Sequence, residues 1–353
     1  MPEGSFLISV RAPVGALNIA NTECGIGRGL CAFIPAPCEL KQSFSWWLLS
    51  HYKDRLLAEQ TGSTYGAVSA HEVGDLAVSY PGVSEQRAIA DFLDRETARI
   101  DELIAKKERL IGLVQERHLS LMDALLVSAP FKREKWPVLA RFIVSKCDGP
   151  FGSDMKSEHY ADCGVRLIRL QNIRRGYFDD SDEAFISAEH FRALPGHDAR
   201  PGDLLVAGLG DPNNPVGRAC LLPAAVGIAM VKADCFRLRL DERRLLHSYA
   251  ASYLNSTVAR AEIGLQLRGA TRERINLSGI SGVRLPVLDL SSQGRIVERI
   301  SRSWADAQRV VDAIKTNIPR LKDYRSSLIS AAVTGQIDVR SYRQEPEVVM
   351  EAS

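Results

Sequence analysis

The chain matches itself. Residues 84–126, SEQRAIADFLDRETARIDELIAKKERLIGLVQERHLSLMDALL, align without a gap on residues 291–333, SSQGRIVERISRSWADAQRVVDAIKTNIPRLKDYRSSLISAAV, at a constant offset of 207. Identities are few, but the apolar positions coincide. In the first segment Leu93, Ile100, Val114 and Leu121 recur at sevens, with Lys107 interrupting, and Ile89, Leu103 and Leu110 fill a second seam. In the later segment Ile300, Ala307, Ile314, Leu321 and Leu328 form the first series, and Ile296, Val310 and Tyr324 part of the second. This spacing predicts two long amphipathic helices that pack on one another. Ser84 and Ser291 are candidate N-caps, and Pro130 and Gly335 stand past the ends. Pro319 removes a helical hydrogen bond, so a bend near Asn317, or two helices in place of one, is expected there.

The repeat reaches beyond the helices. Gly62 and Gly269, Thr64 and Thr271, and Val68 and Ile275 share the same offset, and SFLISVRAPVG (5–15) resembles DLLVAGLGDPNNPVG (203–217). The repeating unit is therefore a globular domain followed by a long helix. The fuller copy runs from about 136 to 285. Its apolar runs VRLIRLQNI (165–173), GDLLVAGL (202–209), RACLLPAAVGIAMV (218–231) and CFRLRL (235–240) read as strands of a mixed, irregular sheet. Residues 247–267 have helical spacing. The fold class is α+β, a duplicated globular domain attached to a helical spacer. The expected divisions are 1–83 for a partial first domain, 84–128 for the first long helix and 129–290 for the second domain. The second helix takes 291–335, and 336–353 form a polar, disordered tail. Gly4 aligns with Gly202, so about 63 residues of the second domain have no counterpart in the first. A truncated gene, an upstream start or a partner chain covering the gap are the readings of that difference.

Composition excludes little. The net charge of +2 gives no global basic field, so any affinity for nucleic acid must come from local clusters of Lys and Arg. The seven cysteines (24, 31, 38, 147, 163, 220, 235) form no CxxC pair and no zinc-spaced cluster, which fits reduced thiols in the cytoplasm. No apolar run approaches the roughly 20 residues of a membrane helix.

Five stretches carry a family likeness. Residues 84–107 (SEQRAIADFLDRETARIDELIAKK) and 325–338 (RSSLISAAVTGQID) resemble the helical signatures of Type I restriction-modification specificity subunits. Residues 146–173 resemble the opening of that family's target-recognition domain, and GSTYGAVS and GATRERIN resemble the loop that closes it. The resemblance implies that each domain reads one half of a bipartite double-stranded DNA site, while the two long helices pack as an antiparallel coiled-coil spacer. It implies docking of modification (methyltransferase) subunits and association with restriction/motor subunits. S-adenosylmethionine, ATP and Mg would bind those partners, and no cofactor or metal this chain. A second copy of the chain, or a chain supplying the missing part, is a further expected partner.

The residues agree with a non-catalytic role. There is no GxxxxGK[ST] loop for ATP. GDPNNPVG (210–217) lacks the aromatic residue of an adenine methyltransferase tetrapeptide and reads as a turn. GIGRG (25–29) reads as a glycine-rich turn rather than a dinucleotide fingerprint. DNA-contact candidates fall in two clusters of the fuller domain. Arg169, Gln171, Asn172, Arg174 and Arg175 can reach base edges, with Lys156 suited to a phosphate. Arg268, Thr271, Arg272 and Arg274 form the second cluster, in the closing loop. Arg166 and Arg169 would face opposite sides of a strand. Competing readings are a coiled-coil interaction scaffold, a truncated remnant without DNA binding, and a piece of a fused methyltransferase.

Overall fold

The computed structural model describes residues 1–11, 14–58, 70–127, 133–211, 213–267 and 273–341. Two compact units emerge, one of Met1–Ile111 with Asp312–Ser353 and one of Gly112–Val311. Each long helix contributes one stretch to each unit.

In the first unit β1 (Phe6–Ser9) lies between β2 (Leu17–Ile19) and β3 (Leu30–Phe33), antiparallel to both. Alternation along β1 buries Phe6 and Ile8 on one face. α1 (Gln42–Ala58) lays Leu49 and Trp46 over that face, and Phe6 meets Trp46 at 6.4 Å between ring centroids. The rest of α1, through Phe44, Trp47, Leu48 and Tyr52, packs on the first half of α3 (Val83–Val127). The short α2 (Ala70–Gly74) precedes α3.

The second unit stacks two sheets. One has the order β10-β9-β12-β4, from β4 (Ile143–Cys147), β9 (Leu204–Ala207), β10 (Ala219–Leu221) and β12 (Cys235–Leu240), and is antiparallel throughout. The other has the order β5-β7-β6-β11-β8, from β5 (Tyr160–Ala161), β6 (Val165–Ile168), β7 (Phe185–Ile186), β8 (Asp198–Ala199) and β11 (Ala229–Val231). Only β6 and β11 run parallel in it, which makes the sheet mixed. Leu205, Ala207, Cys220 and Cys235 are sealed against Ile168, Ala229 and Val231 between the sheets. α4 (Ala188–Ala193) flanks β8, and the opposite face of the first sheet packs on α5 (His247–Leu254). α6 (Thr257–Gly264) and α7 (Leu277–Gly282) complete that core, with the end of α3 and the start of α8 (Leu290–Val333). The expected single helix over 247–267 is two helices. Asn255 leaves the helix to bond both backbone groups of Ala219, and the Ser256 hydroxyl caps α6 at Ala259 N–H.

The long helices pack antiparallel in both units. Asp101 pairs with Arg325 at 3.0 Å in the first, and His118 Nδ1 meets Ser303 Oγ at 3.1 Å in the second. Two expectations about α8 need correction. Pro319 does not divide it, because that position is exposed and water can solvate the carbonyl left without a donor. Its N-cap is Asp289 rather than Ser291, accepting from Ser292 N–H at 2.9 Å and from its hydroxyl at 2.7 Å. Likewise α3 begins at Val83, so Ser84 stands inside it. Gly335 ends α8 at φ +72°, with Gln336 N–H on Ala331 C=O and Gly335 N–H on Ala332 C=O.

The duplication is visible atom by atom in two buried glutamines, 207 residues apart. Gln86 Nε2 donates to the carbonyls of Glu39 (2.7 Å) and Pro81 (2.9 Å), while its Oε1 accepts from Lys41 N–H (2.8 Å). Gln293 Nε2 donates to Arg244 (3.0 Å) and Leu288 (2.8 Å), and its Oε1 accepts from Leu246 N–H (2.9 Å). Each glutamine thus fastens a long helix to the residue preceding α1 or α5. Gln86→Ala and Gln293→Ala should each cost about 2–4 kcal/mol, because three buried backbone groups lose their partner. Thermal unfolding of each variant checks this, and unchanged midpoints would contradict it.

Candidate nucleic-acid interface

Most of the cationic residues expected at the surface are fastened inside the second unit. β6 places Arg166 in the interior, where it bonds Glu183 (2.9 Å), Asp180 (2.7 Å) and the Asp182 carbonyl (3.1 Å). Its guanidinium lies over the Phe185 ring. Arg169 pairs with Asp182 and keeps about a quarter of its side chain exposed. Asn172 is fully buried, donating to the Asp179 and Asp182 carbonyls and accepting from Arg169 N–H. Its assignment as a base-reading residue is corrected: its amide is spent on the 179–182 loop and on Arg169 N–H.

Arg174 reaches Asp179 (3.1 Å) and Asn214 (2.8 Å). Arg175 points the other way, donating to the carbonyl of Asn255 just past the end of α5. Burial first, then neighbouring Arg260, lowers the Arg175 guanidinium to about 10. The following Tyr177 stacks on Trp304 of α8 at 6.1 Å, which anchors this loop on the helices. Arg175 therefore stands as a packing residue, not a base reader. Arg218 went unnoticed in the sequence. It is nearly inaccessible and donates to the carbonyls of Ile173, Leu170, Leu209, Asn214 and Pro215. No periodicity marks it, because its role is to bond loop carbonyls that only the fold brings together.

Polar side chains do remain exposed. Gln171 is exposed, and so is Lys156, paired with Glu158 at 3.6 Å. Arg274 is half exposed, bonds Asp234 at 2.8 Å and lies over the exposed ring of Phe151. Arg268, Thr271 and Arg272 lie outside the described residues. The 210–214 turn connects the two clusters, since Arg174 bonds Asn214 and Gly210 N–H donates to Glu273 C=O at 3.0 Å. The turn itself is an Asp-closed one: Asp211 Oδ1 accepts from Asn213 and Asn214 N–H at 2.8 and 2.9 Å. Those bonds hold the Asp211 carboxyl below its ordinary range.

A cleft of about 910 Å³ opens beside Arg274, lined also by Asp148, Asp234, Gln266 and Asn276. Among the described residues no group of His, Cys, Asp and Glu is arranged to hold a metal. The arrangement offers amide and guanidinium donors and one exposed aromatic ring, a chemistry of contact rather than of bond-making.

The fold and this site define a class: a duplicated α+β recognition unit mounted on paired antiparallel helices. Residues 1–111 match the family model for the Type I restriction modification DNA specificity domain. The EcoBI specificity subunit of Escherichia coli is 19% identical over 327 residues, covering 87% of this chain and 68% of that protein. A putative MjaX specificity subunit of Methanocaldococcus jannaschii is 31% identical over 121 residues, covering 34% of this chain and 28% of that one. The StySPI subunit of Salmonella potsdam is 19% identical, and the chain spans 66% of its length. Two solved structures share the fold. One, from work on complex assembly and conformational transition of the type I R-M system, has a TM-score of 0.75 at 16% identity, covering 96% of this chain and 83% of that one. The HsdS subunit from Thermoanaerobacter tengcongensis gives 0.55 at 16% identity, covering 96% and 82%. Residues 1–111 thus carry the specificity-domain match, and the chain over most of its length is similar to Type I restriction-modification specificity subunits.

Asp148 supplies a titration test of the cleft. Burial above all, with Asp234 adding, pushes its carboxyl up to about 6 against the bonds from Gly149 and Asp234 N–H. A raised carboxyl stabilises the fold only while protonated, so that contribution is full below about pH 4 and lost as pH rises through 6. Asp148→Asn keeps the accepting oxygen and removes the charge. It should raise stability near pH 8 by on the order of 1–2 kcal/mol and leave it unchanged near pH 3.5. Thermal unfolding at both pH values checks this, and destabilisation at pH 8 would sink it.

Proposed function

We propose that this chain is the sequence-specific DNA-recognition subunit of a Type I restriction-modification complex, performing no chemistry itself. The observation that carries the reading is the duplication, with two α+β units held to antiparallel helices by the same glutamine clamp. A repeated reader on a shared support suits a target made of two half-sites. The second unit, with both its sheets, reads one half-site through Gln171, Lys156, Arg274 and the closing loop that carries Arg268, Thr271 and Arg272. The helices dock modification subunits, which bring S-adenosylmethionine, and restriction/motor subunits, which use ATP and Mg. The complex works on DNA in the cytoplasm, and among the described residues no helix is long and apolar enough to cross a membrane.

The test is selection from a random duplex library by the chain assembled with its modification subunit. Enrichment of a bipartite sequence is expected. Gln171→Ala and Arg274→Ala should each weaken binding to that sequence by about 10- to 100-fold while leaving the thermal midpoint within a degree or two. Absence of any enriched sequence would overturn the reading.

A further inference from the structure

Arg274 is exposed, yet it is held in one place. Its backbone bridges Leu209 antiparallel, with Gly210 N–H on Glu273 C=O at 3.0 Å and Ile275 N–H on Gly208 C=O at 2.9 Å. Asp234 Oδ1 accepts from its Nε at 2.9 Å and from its Nη2 at 2.8 Å. The guanidinium carbon lies over the Phe151 ring, 5.7 Å from the centroid. Asp234 is fixed in turn. Among the described residues it is the one non-glycine in the left-handed region, at φ +63°, a conformation that aspartate tolerates better than most. Its N–H donates to Asp148 Oδ1 at 2.9 Å, and its C=O accepts from Gly208 N–H at 2.7 Å. Arg274 and Asp234 are thus tied to the same residue at the end of β9.

Two of the five guanidinium N–H bonds are spent on Asp234. Those of Nη1 and the second one of Nη2 find no partner among the described residues, and half the side chain is exposed beside the cleft. The outer edge of the group is therefore a free pair of parallel donors. Charge argues against a phosphate as its target. Asp234 offsets the positive charge, and the Asp148 carboxyl adds a negative one above about pH 6. Two parallel donors without net charge suit a base edge. In the major groove guanine alone offers two adjacent acceptors, O6 and N7. Adenine sets an amino donor beside N7, thymine a methyl beside one acceptor, and cytosine an amino group.

We propose that Arg274 reads a guanine through its O6 and N7, with Asp234 and Phe151 as positioning residues that hold the fork for that base. The inference rests on the reading of the chain as a DNA-recognition subunit. Fixing the side chain in advance spares the rotamer entropy that binding would otherwise cost. It also restrains the swing by which a mobile arginine would settle for a phosphate.

Titration of the chain assembled with its modification subunit tests this, using the selected duplex and a panel in which each half-site position carries each other base. Arg274→Ala should lose about 10- to 100-fold on duplexes with guanine at one position, and nothing once another base stands there. Asp234→Gly accepts the left-handed backbone without the carboxylate, and should relax the preference at that position alone by roughly three- to tenfold. Asp234→Asn keeps an accepting oxygen and should restore most of it, while Phe151→Ala should relax it with the carboxylate in place. A uniform loss for Arg274→Ala across the panel marks a phosphate contact and overturns the inference, while the recognition reading stands. A guanine preference untouched by both Asp234→Gly and Phe151→Ala overturns the positioning roles. A chain that selects no sequence sinks both readings together.

Discussion

Everything in this molecule hangs on a helix holding a domain through one side-chain amide. Gln86 and Gln293 each satisfy three backbone groups, from the long helix's own approach and from the start of α1 or α5. A buried amide is costly unless every bond is made, and both make theirs identically. The clamp thus fixes the register of domain on helix in each unit. The apolar seams alone tolerate sliding, because many neighbouring Leu and Ile positions would serve equally.

The same economy of polar groups accounts for four arginines of the second unit. Arg166, Arg175, Arg218 and Arg237 are consumed by carbonyls and carboxylates of the second unit's loops. Short strands and irregular connections leave many loop carbonyls without a sheet partner, and a guanidinium with five donors can bond several at once. Arg218 alone serves five. The cations stabilise the loops, and the exposed amide and guanidinium groups beside them are left for an outside partner.

Much of this architecture is legible in the sequence. The heptad series of Leu93 and Ile300 marked the long helices, and short Gly- and Pro-bounded runs marked the strands of the second unit. Helix ends were read less well, since Asp289 caps a turn that the Ser-rich start disguised. Pro319 looked disruptive because local rules ignore that its face is exposed. The site was the least legible part. An arginine in a polar run looks the same whether it faces solvent or, like Arg175, a carbonyl 80 residues away. Asn172 was misread for the same reason. One signal was present and unused: Gln86 and Gln293 are identical residues at equivalent places in the repeat.

The central claim is that the exposed rim touches the bases while the arginines behind it hold the loops. The direct measurement is photo-crosslinking from a benzophenone amino acid placed singly at 171, 156 or 175 in the chain assembled with its modification subunit on its selected DNA. Sequence-dependent crosslinks to one half-site are expected from 171 and 156, and crosslinks within the protein alone from 175. DNA crosslinks from 175 with none from 171 or 156 would contradict it.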